Sequence, residues 1–189
     1  MSTLTPEGQM ALQRREAPGG AASLSSWVWF FSFVLLGTLA DIATKSWAFG
    51  AVPPGPQGRI TVIEGFFYIV RATNTGAMWS LFQGVEREIW IAVRGGVFLV
   101  LLGMVLRMRP TSLTARAGFA LVLAGALGNL YDNVFFDEGA VRDWLRFDFG
   151  EWTFPIFNLA DAFICIGAPL LLLHFNHDGE KEEGGEAAA

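Results

Sequence analysis

The stretch WVWFFSFVLLGTLADIATKSWAF, residues 27–49, decides the fold class of this chain. It is long and apolar enough to cross a membrane, because a helix needs about 20 mostly apolar residues to span the hydrocarbon core. Three further segments share this property, at 89–106, 117–136 and 156–175. Only 16% of the 189 residues are charged and 52% are hydrophobic, against about 25% charged in soluble domains. We therefore predict an integral membrane protein with four transmembrane helices.

The positions of the arginines predict which side of the membrane each connection faces. The link at 107–116 contains three arginines and no acidic residue, and two more arginines precede the first span. Cytoplasmic loops carry an excess of Lys and Arg, whereas acidic residues contribute little to orientation. We therefore expect both termini in the cytoplasm and the connections 50–88 and 137–155 on the outer side.

The chain is expected to contain one domain, at 26–176, between two polar tails. The tails at 1–25 and 177–189 are predicted to be disordered, because they are polar and the second is strongly acidic. In the outer connection 50–88, the runs RITVIE and FFYIV lie on either side of Gly65 and are rich in β-branched and aromatic residues. This pattern predicts a small extramembrane β-sheet with a short interfacial helix beside it.

Every predicted span carries polar or ionisable side chains, which are costly inside a bilayer and usually mark function. These residues are Asp41, Lys45, Arg94, Asn129, Asp132, Asn158 and Asp161. In the predicted orientation, all of them lie toward the outer ends of their spans. One polar site near the outer surface is the simplest explanation.

Structural roles compete with functional ones at several of these positions. Asp41 and Lys45 are four residues apart on one helical face, and we interpret them first as an internal ion pair. Arg94 is interpreted as a cation whose head group extends to the interface. For Asp132, a structural hydrogen-bonding role and a functional role are both open.

Asp143, in the outer segment VRDWL, would alone be an ordinary loop acid. Its pairing with Asp161 changes that interpretation. Two carboxylates in one low-dielectric site do not both ionise easily, so one keeps a proton while the other acts as a base. Such a pair can activate water against a peptide carbonyl, and we expect no metal ion or other cofactor.

The polar residues belong to five short motifs in a set order. These are DIATK at 41–45, NTG at 74–76, GNLYD at 128–132, VRDW at 141–144 and FPIFNLAD at 154–161. Together they closely resemble the lipoprotein signal peptidase family, also called signal peptidase II, of bacterial inner membranes. The likeness runs over 27–175. It implies an all-α membrane protein with four transmembrane helices. It also implies a small periplasmic β-sheet (cradle) and an interfacial helix, which together occupy about 59–82.

The resemblance also implies an activity. The family consists of aspartic endopeptidases that remove the signal peptide of prolipoproteins, cutting before a cysteine that carries a diacylglyceryl group. By this resemblance, the catalytic residues are expected to be Asp143 and Asp161. Substrate-binding or supporting positions fall on seven residues: Asn74, Gly76, Asn129, Asp132, Asn158, Asp41 and Lys45.

The expected partners are diacylglyceryl-modified prolipoproteins and membrane lipids, with no nucleic acid. We expect a monomer in the bacterial inner membrane, with its active site near the periplasmic face.

One position departs from the family pattern. The family usually has an arginine after the aspartate of the third-span motif, where it helps to hold the substrate backbone. This chain has Asn133 there. Arg142 is a candidate to take the place of that arginine.

Two other functions fit parts of the sequence. A small proton-coupled carrier would need ionisable residues through the full depth of its spans, whereas the inner halves are apolar, as in VFLVLL at 97–102 and PLLLL at 169–173. A non-catalytic relative would bind lipoprotein precursors without cutting them. The presence of both Asp143 and Asp161 favours the enzyme.

Overall fold

The computed structural model describes residues 24–55, 57–74, 87–108 and 112–186. The long helices in these ranges are α1 (Leu24–Ala51), α2 (Arg87–Met108), α3 (Leu113–Phe135) and α4 (Leu159–Glu186). Each contains a segment long and apolar enough to cross a membrane; in α4 this segment is Leu159–Asn176. The prediction of four transmembrane helices is confirmed.

Helix α3 lies at the centre of the bundle. Of its most apolar stretch 61% is buried, against 17% in α1 and α4 and 6% in α2. Phe119 and Leu123 of α3 share a core with Phe30 and Val34 of α1 and Val105 of α2. The outward faces of the other helices are apolar, as expected for surfaces in contact with lipid.

Glycines bring α3 and α4 into backbone contact. A Cβ atom at Gly125 would collide with the carbonyl oxygen of Ala160 and lie 2.8 Å from Ile164. One at Gly118 would lie 2.9 Å from Leu171. Small residues allow close packing between membrane helices, where apolar lipid removes the hydrophobic drive for association. The start of α4 is thereby placed against the C-terminal half of α3.

The sheet is antiparallel, with its strands in chain order. They are β1 (Arg59–Ile63), β2 (Phe67–Asn74), β3 (Val141–Phe149) and β4 (Trp152–Thr153). The predicted hairpin corresponds to β1 and β2, which turn at Gly65 with a φ of 76°, a conformation that glycine adopts without strain. The second outer connection supplies β3 and β4, so Asp143 lies on a strand and not in a loop.

Strand β3 is fixed on both sides. Asp143 pairs with Ala72 of β2. Beyond it, the amides of Trp144 and Leu145 donate to the carbonyl oxygen of Phe157 at 3.0 and 2.9 Å. The strand is therefore attached directly to the residues that lead into α4.

The C-terminal tail differs from the expectation. Helix α4 continues to Glu186, so the tail predicted to be disordered from residue 177 is helical as far as 186. Glu and Lys at 180–183 are good helix formers, and extending an existing helix avoids the cost of nucleation. The segment predicted to hold both the sheet and the interfacial helix, 59–82, is described only as far as residue 74, and residues 1–23 of the predicted N-terminal tail also lie outside the described residues.

The glycine contact between α3 and α4 predicts that the same Gly→Ala substitution changes stability differently at two positions. Gly125→Ala should lower stability by about 1–3 kcal/mol, because the new methyl group meets backbone. Gly103→Ala on α2 is the matched control, since a Cβ there has no heavy atom within 4 Å. It should leave stability unchanged or raise it by up to about 1 kcal/mol. Thermal unfolding in detergent measures both, and equal shifts would contradict the packing described.

Candidate active site

A capping box formed by two predicted site residues closes the N-terminus of α4. The amide of Asp161 donates to Asn158 Oδ1 at 2.9 Å, and the amide of Asn158 donates to Asp161 Oδ2 at 3.2 Å. This reciprocal arrangement satisfies two amides that have no partner within the helix. It also holds the Asp161 carboxylate at the positive end of the helix dipole.

Asn158 connects the two candidate catalytic carboxylates. Its Nδ2 donates to Asp143 Oδ1 at 2.6 Å and to Asn129 Oδ1 at 3.2 Å. Asn129 Nδ2 in turn donates to Asp161 Oδ1 at 2.8 Å. Asn158 and Asp143 are buried, whereas Asp161 is partly exposed. The pair therefore lies at the edge of the interior, with both carboxylates oriented by amide donors.

The environment of Asp143 favours its protonated form. Burial and the negative charge of Asp161 raise the pKa of Asp143 to about 7. Hydrogen bonds from the side chains of Asn158 and Asn74 act in the opposite direction. A carboxyl group with a raised pKa keeps its proton to a higher pH than an ordinary aspartate. One member of the pair can then donate a proton while the other accepts one.

Lys45 is fully buried and contacts three acceptors. Its Nζ lies 2.6 Å from Asp41 Oδ2 and 3.3 Å from Asp132 Oδ2, and it donates to Asn129 Oδ1 at 3.0 Å. Three contacts match the three N–H donors of an ammonium group. The ion pair expected between Asp41 and Lys45 is present, and it extends to the asparagine that holds Asp161.

Asp41 also supports the start of α4. Its Oδ1 accepts a hydrogen bond from the amide of Ala160 at 2.8 Å. A Cβ atom at Gly128 would collide with the Asp41 carboxylate, so glycine is required where α3 passes this side chain. One carboxylate of α1 therefore contacts both α3 and α4.

Asp132 fixes the start of β3 through Arg142. Its Oδ2 accepts from the amide of Arg142 at 2.9 Å, and its Oδ1 accepts from Nε and Nη2 at 3.0 and 2.6 Å. Arg142 Nη1 donates to Ser46 Oγ at 3.1 Å. All three guanidinium nitrogens are therefore engaged within the protein. This disfavours the hypothesis that Arg142 holds a substrate in place of the arginine expected at 133.

Asn133 is buried and joins α3 to two arginines of α2. Arg94 Nη1 donates to its side-chain oxygen, and Arg87 Nε donates to its carbonyl oxygen at 2.8 Å. Its Nδ2 donates to the carbonyl oxygen of Gly139. Every hydrogen-bonding atom of the carboxamide is thus used, and the side chain is held in one orientation.

Arg94, interpreted from the sequence as extending to the interface, donates to the buried side chain of Asn133. It is half-buried, its guanidinium lies 5.4 Å from the ring centre of Trp90, and it interacts electrostatically with the carboxylates of the site. Those carboxylates are Asp161, Asp143 and Asp132. The unexpected asparagine at 133 was the sequence feature that marked this region, but its contact with a different span is not visible in the sequence.

The predicted site residues that the structure describes form one connected cluster. Its members are Asp143, Asp161, Asn74, Asn129, Asp132, Asn158, Asp41 and Lys45. Gly76 lies outside the described residues. Within the described part of the chain, no three His, Cys, Asp or Glu side chains are grouped so as to hold a metal ion.

Comparison with known proteins gives consistent matches. A family model described as signal peptidase (SPase) II matches residues 33–176. Lipoprotein signal peptidases of Yersinia pestis (strain Pestoides F) and Yersinia pseudotuberculosis (serotype O:3, strain YPIII) are each 35% identical over 155 residues, covering 77% of this chain and 83% of theirs.

Two solved structures of bacterial membrane enzymes match with TM-scores of 0.70 and 0.67, both at 26% identity. The matches cover 80% and 77% of this chain and 90% and 91% of those chains.

The burial of Lys45 predicts a large effect of removing its charge. Lys45→Met leaves Asp41 and Asp132 without their shared cation in a buried site, so the free energy of unfolding should fall by about 3–5 kcal/mol. Arg146→Met is the control, because its pair with Asp148 is partly exposed and exposed ion pairs contribute little to stability. Denaturant titration in detergent compares them. A smaller loss for Lys45→Met than for the control would contradict a supporting role.

The pKa of Asp143 predicts a pH dependence of stability. An unfolded Asp titrates near pKa ~3.9, so between about pH 4 and pH 7 the folded protein holds a proton that the unfolded chain has lost. Stability from this group therefore falls as pH rises through that window and stays constant above it. Asp143→Asn should flatten the fall in Tm, whereas Asp148→Asn should retain it. Parallel curves for wild type and Asp143→Asn would show that Asp143 titrates normally.

Proposed function

The chain belongs to the signal peptidase II family, and we propose that it removes signal peptides from diacylglyceryl-modified prolipoproteins by an aspartic mechanism. Family membership makes it a membrane protease that processes lipoproteins. The observation that supports the aspartic mechanism is the hydrogen-bonded arrangement of Asp143 and Asp161 around Asn158. In this proposal, the cut falls before the lipidated cysteine.

The reaction begins with one proton on the carboxylate pair. The ionised carboxylate takes a proton from a water molecule as the water oxygen bonds to the scissile carbonyl carbon. The protonated carboxyl group donates its proton to the carbonyl oxygen, giving a neutral tetrahedral intermediate. The C–N bond then breaks as one carboxyl group protonates the leaving amine and the other takes a proton from a hydroxyl group. The pair is restored, and its two pKa values belong to the pair as a whole.

The surrounding residues act by positioning this pair. Asn158 and Asn129 donate to the two carboxylates, which restricts their rotation. Lys45 acts through Asn129. Asn74, at the end of β2, donates to Asp143 from the sheet side. Positions held in this way need little rearrangement when the substrate is bound.

The proposed orientation follows from the arginine distribution and the location of the sheet. Both outer connections leave from the helix ends that carry the polar cluster. With both termini in the cytoplasm, the site lies near the periplasmic face. The signal helix of the precursor would enter between the spans and keep its acyl chains in the outer leaflet.

We further propose that the protease acts as a monomer, with the precursor and membrane lipids as its partners. The peptidase domain is 26–176. The mechanism requires no metal ion or cofactor.

Cleavage by purified protein tests the proposal. The substrate is a diacylglyceryl-modified prolipoprotein in detergent, and the product is identified by mass spectrometry. Asp143→Asn and Asp161→Asn should each reduce kcat at least ~10²–10⁴-fold, since each removes a group that must exchange a proton. Asp148→Asn is the matched control, because Asp148 lies on the same strand and binds Arg146. It should change the rate less than about threefold, and a chelator should have no effect.

Two results would contradict the proposal in different ways. Retained cleavage in either Asp143→Asn or Asp161→Asn would exclude a mechanism that needs both carboxylates. A folded wild type that binds the precursor without cutting it would instead identify a binding relative.

A further inference from the structure

Arg94 is a half-buried arginine within the transmembrane helix α2. It lies seven residues after Arg87, the first residue of α2, and so about 10 Å along the helix into the span. Its position is held by Asn133 and by the ring of Trp90. A half-buried cation is costly in a membrane, so its presence within a span usually marks a function.

The guanidinium of Arg94 retains hydrogen-bonding capacity. It has five N–H groups, and its one hydrogen bond to a described residue goes to Asn133. Among the described residues it forms no ion pair, in contrast to Lys45 and Arg142. It nevertheless interacts electrostatically with Asp143 and Asp161. Among the described residues, Arg94 is therefore a cation that interacts with the carboxylate pair and has N–H donors without a partner.

A precursor peptide would present acceptors in this region. Peptidases need an extended segment at the scissile bond so that the carbonyl is accessible, and extension removes the helical partners of the neighbouring carbonyl groups. Carbonyl groups without partners are costly in a low-dielectric site. A guanidinium with spare donors satisfies them, and its charge strengthens the hydrogen bonds.

We infer that Arg94, oriented by Asn133, binds main-chain carbonyl groups of the precursor beside the scissile bond. The inference rests on the proposed function and adds a substrate-binding residue to it. It also explains the departure at position 133. The carboxamide there does not bind the substrate itself; it holds an arginine supplied by the neighbouring helix.

Steady-state kinetics on the purified protein and the lipidated precursor test this role. Arg94→Ala should raise KM about ten- to a hundredfold, the range for hydrogen bonds to a charged group, with kcat changed less than about threefold. Arg94→Lys keeps the charge but loses the planar fork, so its KM should lie between those of wild type and Arg94→Ala. Arg107→Ala removes an exposed arginine from the other end of α2 and should leave KM unchanged.

Exchanging Arg94 and Asn133 distinguishes a loss of substrate binding from a loss of structural stability. In Arg94→Asn combined with Asn133→Arg, the guanidinium and carboxamide remain in contact but on opposite helices. This variant should recover KM to within about fivefold of wild type. An unchanged KM in Arg94→Ala, or no recovery in an exchanged variant with wild-type Tm, would overturn the inference.

Failure of the proposed function gives a distinguishable result. A wild type that binds the precursor without cutting it would contradict the peptidase mechanism alone. The dissociation constant would then replace KM, with the same ratios expected among the variants. A wild type that neither binds nor cuts would overturn both proposals.

Discussion

Lys45 is the buried charge on which the arrangement of this protein depends. Its ammonium group contacts carboxylates from α1 and α3 and the asparagine that holds Asp161. A buried ion is stable only when its partners are positioned to compensate it. This requirement sets the relation of α1 to α3. The hydrogen bond from the amide of Ala160 to Asp41 also fixes the position of both helices against the start of α4.

The candidate site combines residues from the membrane and from the sheet. Asp161 is held by the cap of a transmembrane helix, whereas Asp143 belongs to a strand that pairs with β2 and is attached to Phe157. Neither element alone creates the pair. Burial then makes the ionised form of Asp143 unfavourable, while Asn158 and Asn74 keep it in reach of ionisation. Packing and proton chemistry are thus set by the same contacts.

The sequence predicted the features that depend on local composition. The four spans follow from apolar length, and the polar cluster follows from residues that a bilayer rarely tolerates. The sequence pattern does not indicate strand β3, because four of its nine residues are charged and it is stabilised by pairing with a distant strand. The contact between Arg94 and Asn133 joins two different helices, and no sequence pattern within either helix predicts it. The sequence likewise leaves Arg142 as a candidate for substrate binding, because its hydrogen bonds to Asp132 join two different elements.

The most direct test of the account is a structure of the Asp143→Asn variant with an uncleaved, diacylglyceryl-modified precursor. The scissile carbonyl should lie within hydrogen-bond distance, about 3 Å, of the side chains at both 143 and 161. The Arg94 guanidinium should lie on a neighbouring main-chain carbonyl. A scissile bond outside the reach of either position would contradict the claim that these two carboxylates perform the cleavage.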